Sequence, residues 1–128
     1  MHPDLEVITE AAKGLRYISE SDHPMEPVQL HSTNVEEALL ELSGESNGAN
    51  IEKQSVDYFF RNMIKTYPQY SPEERKTAQQ FSELLELLKQ KLEDVEVYRI
   101  GTTQVHAFII GKLENGTYAG LRTKLVET

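Results

Sequence analysis

A chain of 128 residues with 38% hydrophobic side chains has the size of one domain and enough apolar material for one core, so residues 1–128 are read as a single domain. Its net charge of −8 repels nucleic-acid phosphates, and no apolar run approaches the roughly 18 residues that a membrane span needs. The absence of cysteine excludes disulfides and zinc–thiolate sites. With an N-terminus (MHPDLEVITE) that lacks the positive charge and apolar stretch of a secretion signal, it leads us to expect a cytoplasmic protein.

The charge is unevenly spread. Residues 1–57 hold 12 acidic and 3 basic side chains, a balance of −9, whereas residues 58–128 hold 9 and 10, a balance of +1. Negative charge of this kind keeps a small protein soluble, and it also attracts a basic partner protein.

In chain order, Leu5, Ile8, Ala12 and Leu15 recur at helical spacing and predict an amphipathic helix over 4–17. Ser19-Glu20-Ser21-Asp22-His23-Pro24 then reads as a loop. Residues 27–31 (PVQLH) read as a short strand. Either Thr33 or Asn34 caps a second helix, VEEALLEL, that stops at Gly44. Residues 43–50 (SGESNGAN) form a polar connection, and 51–54 a short strand. Ser55 or Asp57 starts a helix carrying Phe59, Phe60, Met63 and Ile64, and Pro68 closes that region.

Ser71-Pro72-Glu73-Glu74 is a strong helix start: serine caps, proline takes the first helical position and Glu74 completes a capping box. The helix runs to about Glu93, with Phe81, Leu84, Leu85, Leu88 and Leu92 on one face and Lys89 and Lys91 near its C-terminal end. Strands follow over 95–100, 104–111 and 117–127, joined by Gly101-Thr102-Thr103 and by a turn containing Asn115-Gly116. That dipeptide accepts the positive φ of a hairpin. An antiparallel three-strand meander mixed with helices gives an α+β or layered α/β class.

No catalytic constellation is visible. There is no cysteine nucleophile, no GxSxG, no P-loop and no GxGxxG, and His2, His23, His31 and His106 show no helical ligand spacing. The chain is therefore expected to be no enzyme and to carry neither cofactor nor metal of its own. His106 reads as a strand-face histidine, and Asn115-Gly116-Thr117 as a hairpin turn rather than a glycosylation site.

Two features remain. Ser19-Glu20-Ser21-Asp22 is exposed oxygen-rich chemistry after a helix, and its plain explanation is helix termination. At the other end, a strand pattern continues almost to the last residue. An end held in this way would present Glu127 with the hydroxyl and α-carboxylate of Thr128, the oxygen ligands that Mg²⁺ prefers. The plain explanation there is a strand that simply stops.

Together these features resemble the nuclease A inhibitor family, whose members inhibit a cyanobacterial sugar-nonspecific nuclease. The resemblance runs through Gly14-Leu15, Ser19-Glu20-Ser21, Pro24, Glu26, Asp57, Phe59-Phe60, Phe81 and Leu84-Leu85-Glu86. It is strongest in Val97-Tyr98-Arg99, Gly101, Ile109-Ile110-Gly111, Ala119-Gly120 and Thr123 to Thr128. It implies an α/β/α sandwich. It also implies that Glu20 and Thr128 enter the active site of a nuclease, Thr128 reaching its catalytic Mg²⁺, with Ser19, Ser21, Asp22 and Glu127 beside them.

The sequence departs from the family at Tyr67-Pro68-Gln69-Tyr70. Gln69 stands near the position of an interface tryptophan, and this chain has none. Three consequences follow as alternatives: a different target, weaker binding, or a contact supplied by Tyr67 and Tyr70. Residues 31–50 also match poorly. The resulting expectation is a monomeric inhibitor that forms a 1:1 complex with a metal-dependent endonuclease and touches neither nucleic acid nor membrane. The alternative is a module of the same fold with a non-nuclease protein partner.

Overall fold

The computed structural model describes residues 2–19, 21–45 and 50–127. In chain order the elements are α1 (Pro3–Ala12), β1 (Arg16–Ile18), β2 (Asp22–Pro24), β3 (Glu26–Gln29), α2 (Val35–Ser43), β4 (Ile51–Gln54), α3 (Val56–Phe59), α4 (Arg61–Ile64), α5 (Pro72–Lys91), β5 (Glu93–Ile100), β6 (Gln104–Lys112) and β7 (Tyr118–Val126). Strands β3-β7-β6-β5-β4 make one antiparallel sheet in that order, while β1 and β2 form a separate hairpin.

Alternation along β6 sets the layers. Val105, Ala107 and Ile109 enter one apolar cluster, with Leu5 and Ile8 of α1, Phe59 and Phe60, and Phe81, Leu84 and Leu88 of α5. Phe108 and Ile110 enter the other, with Val28, Leu30, Ile100 and Leu39 of α2. Helices therefore cover both faces, and the architecture is an α/β/α sandwich with the expected β5-β6-β7 meander at its centre. Each fully buried leucine contributes about 1.5–3 kcal/mol, so the row Leu84, Leu88 and Leu5 accounts for much of the adhesion of α1 and α5 to the sheet. An ion pair between Lys91 and Asp4 at 3.8 Å joins the two helices at the rim.

The caps decide where the helices begin. Asn34 accepts from the Glu37 N–H, and Gly44 closes α2 at φ +77. Ser55 caps α3. At Ser71 both halves of the capping box are made: Ser71 Oγ accepts from the Glu74 N–H at 3.2 Å and Glu74 Oε1 from the Ser71 N–H at 3.0 Å. At the second turn of the meander, Gly116 sits at φ +89, with the Thr117 N–H donating to Asn115 Oδ1.

Three expectations are corrected. The first helix ends at Ala12 instead of reaching residue 17, because Gly14 adopts φ +84 and redirects the chain. Leu15 is buried, as its spacing required, but as the lead into a strand. Residues 19–24 are not a plain loop, since Asp22–Pro24 pair with Arg16–Ile18. The helix expected after Ser55 is two short turns that break at Phe60, whose φ/ψ of −93/3 lets Phe59 and Phe60 both be buried.

Candidate functional site

The β1–β2 hairpin is too short to hold itself together. Its register (Arg16↔Pro24, Tyr17↔His23, Ile18↔Asp22) is closed by the Ser19 N–H donating to the Ser21 carbonyl at 2.8 Å. What fixes it is β7. Thr123 Oγ1 donates to the His23 carbonyl at 3.4 Å, and the Val126 N–H donates to Ser19 Oγ at 3.1 Å. The Ser21 N–H also donates to Ser19 Oγ, at 3.3 Å. One serine hydroxyl thus joins the hairpin tip to the last rung of the sheet across 107 positions of sequence.

The end of β7 is held on its other side as well. The Glu127 N–H donates to the Thr103 carbonyl at 2.8 Å, and the Glu127 carboxylate pairs with the Arg99 guanidinium. Arg99 also pairs with Glu52 at 3.5 Å. A groove of about 260 Å³ runs alongside, lined by Tyr17, Ser19, Tyr58, Arg61, Arg99 and Glu127 among others. Burial pushes the Tyr17 hydroxyl above its ordinary pKa; Arg61 and Arg99 pull it down and Glu127 pushes it up, so these groups share one electrostatic neighbourhood.

Four of the residues singled out from sequence, Ser19, Ser21, Asp22 and Glu127, therefore lie at one end of the molecule. Asp22 is tied sideways to Arg16, at 3.5 Å. Tyr70 is close to this end too: with Ile18, Met63 and Phe81 it lines a second, more apolar groove of about 510 Å³. Gln69 is exposed, in a turn where the Tyr70 N–H donates to the Tyr67 carbonyl at 3.0 Å. The Tyr67 and Tyr70 rings meet edge to face at 5.2 Å. Glu20 and Thr128 lie outside the described residues.

Sequence reasoning missed Arg99 as the partner of Glu127, and it missed Ile18, which is 61% exposed beside the hairpin tip. Bulk apolar exposure at Ile18 and Tyr58 is the kind of surface that partner proteins cover. Its signal in the sequence is faint: one isoleucine and one tyrosine, Ile18 and Tyr58, separated by forty positions. Among the described residues no group of three or more His, Asp or Glu side chains could hold a metal ion, and no helix is long and apolar enough to cross a membrane.

The end of the molecule is thus an oxygen-rich edge whose described residues are joined by hydrogen bonds and flanked by exposed apolar side chains, a surface of the kind that contacts another protein. No curated protein matches the chain. A family model described as nuclease A inhibitor-like protein matches residues 3–128. The match spans both the hairpin and the meander, and this protein belongs to the nuclease A inhibitor-like family.

Proposed function

We propose that this protein inhibits a metal-dependent, sugar-nonspecific endonuclease by filling its active site with Glu20 and Thr128. The observation that carries the reading is the Val126 N–H donating to Ser19 Oγ at 3.1 Å, because Ser19 precedes Glu20 and Val126 lies two residues before Thr128. Two segments far apart in sequence are joined next to the residues to which the family resemblance assigns the contact.

The chemistry is substitution of one set of oxygens for another. A nuclease holds a phosphodiester between its metal and basic side chains. The carboxylate of Glu20 offers a negative group to those basic side chains, and the hydroxyl and carboxylate of Thr128 offer hard oxygens to the metal. Neither is a cleavable ester, so the site is occupied without turnover. Ser19, Ser21, Asp22 and Glu127 frame the edge; Tyr70 and Gln69 extend it toward the apolar groove. The protein acts as a monomer in a 1:1 complex, and it needs no cofactor.

The test is inhibition of a panel of sugar-nonspecific endonucleases by the purified protein, with Glu20→Ala and a variant lacking Thr128. Strong inhibition by the parent, lost in both variants without a change in melting temperature, supports the reading. Inhibition that survives both changes removes Glu20 and Thr128 from the mechanism. Failure to inhibit any member favours the second reading, a non-nuclease partner, for which the motivating observation is Gln69 in place of the family tryptophan.

A further inference from the structure

The Arg99–Glu127 pair joins a strand to a segment that does not pair with it. Arg99 sits on β5, whereas Glu127 follows β7, and β6 lies between them. Arg99 shares its sheet face with Val97, and Glu127 continues the row Leu121, Thr123, Leu125 on that same face. The cross-strand neighbour of Arg99 on β6 is Ala107. Straight across Ala107 lies Thr123, so the guanidinium reaches Glu127 on a diagonal, along the groove that Arg99, Leu125 and Glu127 line together.

Burial separates the roles of the three charges. The Arg99 side chain is 13% exposed, against 49% for Glu127 and 67% for Glu52. The guanidinium is the fixed point, and the carboxylates are the ends that fold onto it. Its planar fork can hold two carboxylates at once, which an ammonium does with much less geometric control. Glu52 on the edge strand β4 holds one side of the fork, leaving the other directed at Glu127.

We infer that Arg99 is a positioning residue that holds Glu127, the residue following β7, and so fixes the point from which the chain leaves the sheet toward the target. Glu127 then acts mainly inside the protein, as the arm by which Arg99 grips this segment. The inference rests on the proposed inhibitor function for its purpose, but the grip itself is a property of the free protein. A segment that is not held must be ordered on binding, at a cost of about tenfold in affinity for each residue fixed.

The experiment is Arg99→Gln, studied first without a partner. Amide hydrogen exchange at Val126 and Glu127, whose N–H groups donate to Ser19 Oγ and the Thr103 carbonyl, should accelerate about tenfold, as expected for releasing one such residue. Exchange at Ile109 in the middle of β6 should not change. The charge swap Arg99→Glu with Glu127→Arg, made in a Glu52→Gln background so that no carboxylate faces position 99, should restore protection. Against an inhibited nuclease, Arg99→Gln should raise the dissociation rate about tenfold and leave association nearly unaltered, with Arg99→Lys intermediate.

Unchanged exchange at Val126 and Glu127 overturns the inference, and so does a loss of protection that spreads to Ile109. Faster exchange with an unchanged dissociation rate also overturns it, since the grip would then serve stability alone. If the parent protein inhibits no nuclease, the inhibitor reading fails, and the exchange measurement still decides whether Arg99 holds the segment.

Discussion

Tyr17 donates its hydroxyl hydrogen to the Phe59 carbonyl at 2.8 Å, and the two rings are stacked with their centroids 4.2 Å apart. The bond crosses from the hairpin to α3. Since β1 has only three residues, this contact and the bonds to β7 are what aim the hairpin tip.

Removing only the hydroxyl, Tyr17→Phe, should cost about 1 kcal/mol, the usual net worth of such a bond. Tyr17→Ala also removes the stacked ring and should cost roughly 3 kcal/mol, near the lower end for deleting a packed aromatic side chain. Urea unfolding measures both. Equal losses in the two variants would show that the ring contributes nothing.

Gly120 should tolerate no side chain. A Cβ placed there would lie 1.7 Å from the Ile109 carbonyl oxygen of the neighbouring strand, and backbone cannot yield as a flexible side chain does. Gly120→Ala is expected to destabilise by more than about 3 kcal/mol, because overpacking against a sheet backbone exceeds the usual 1–3 kcal/mol of a crowded core. A soluble Gly120→Ala protein with the parent melting temperature would contradict the close approach of β6 and β7.

His106 should give the protein a stability loss in mild acid. Burial lowers its pKa below the ordinary histidine value, Lys124 and Arg122 lower it further, and Glu45 opposes them. A depressed folded pKa means that the unfolded chain takes up a proton first as pH falls. The stabilising contribution is therefore complete above the unfolded value of about 6.5, and is lost as pH drops through the folded one. The melting temperature of the parent should fall more steeply between neutral pH and pH 5 than that of His106→Gln. Parallel slopes would exclude the effect.

The parts of this fold written in local chemistry are legible in the sequence itself. Ser71 and Glu74 announce their helix three residues apart, and Asn115-Gly116 announces its turn. Val105, Ala107 and Ile109 enter one apolar layer and Phe108 and Ile110 the other, as period-two spacing requires. The site is less legible for a physical reason. Periodicity overextends the first helix because Leu15 keeps the helical phase, although Gly14 has already left the helix. Three-residue strands carry no period, so the hairpin leaves no pattern to detect. Its fixing bonds, Val126 to Ser19 and Thr123 to His23, join residues 107 and 100 positions apart. Nothing near Arg99 marks it as the residue that reaches Glu127.

Charge should control how fast a complex forms more than how long it lasts. Among the described residues of 1–57, five acidic side chains, Asp4, Asp22, Glu36, Glu52 and Asp57, sit within ion-pair distance of a cation. Pairing of this kind is local. At the distances over which proteins attract one another, the net −8 would still act on a positively charged partner. Exposed charges are screened beyond about 8 Å at physiological ionic strength, so added salt weakens the long-range part first. Association of the inhibitor with its nuclease should therefore slow several-fold, about one decade at most, from low to physiological salt, while dissociation changes little. Stopped-flow measurement of both rates at a series of salt concentrations separates the two. An association rate that does not vary with salt would mean that the acidic half serves solubility alone. A dissociation rate that climbs as steeply as association falls would place the dominant charges inside the interface, and would point to the Arg99, Glu52 and Glu127 cluster beside the hairpin tip in place of the acidic half.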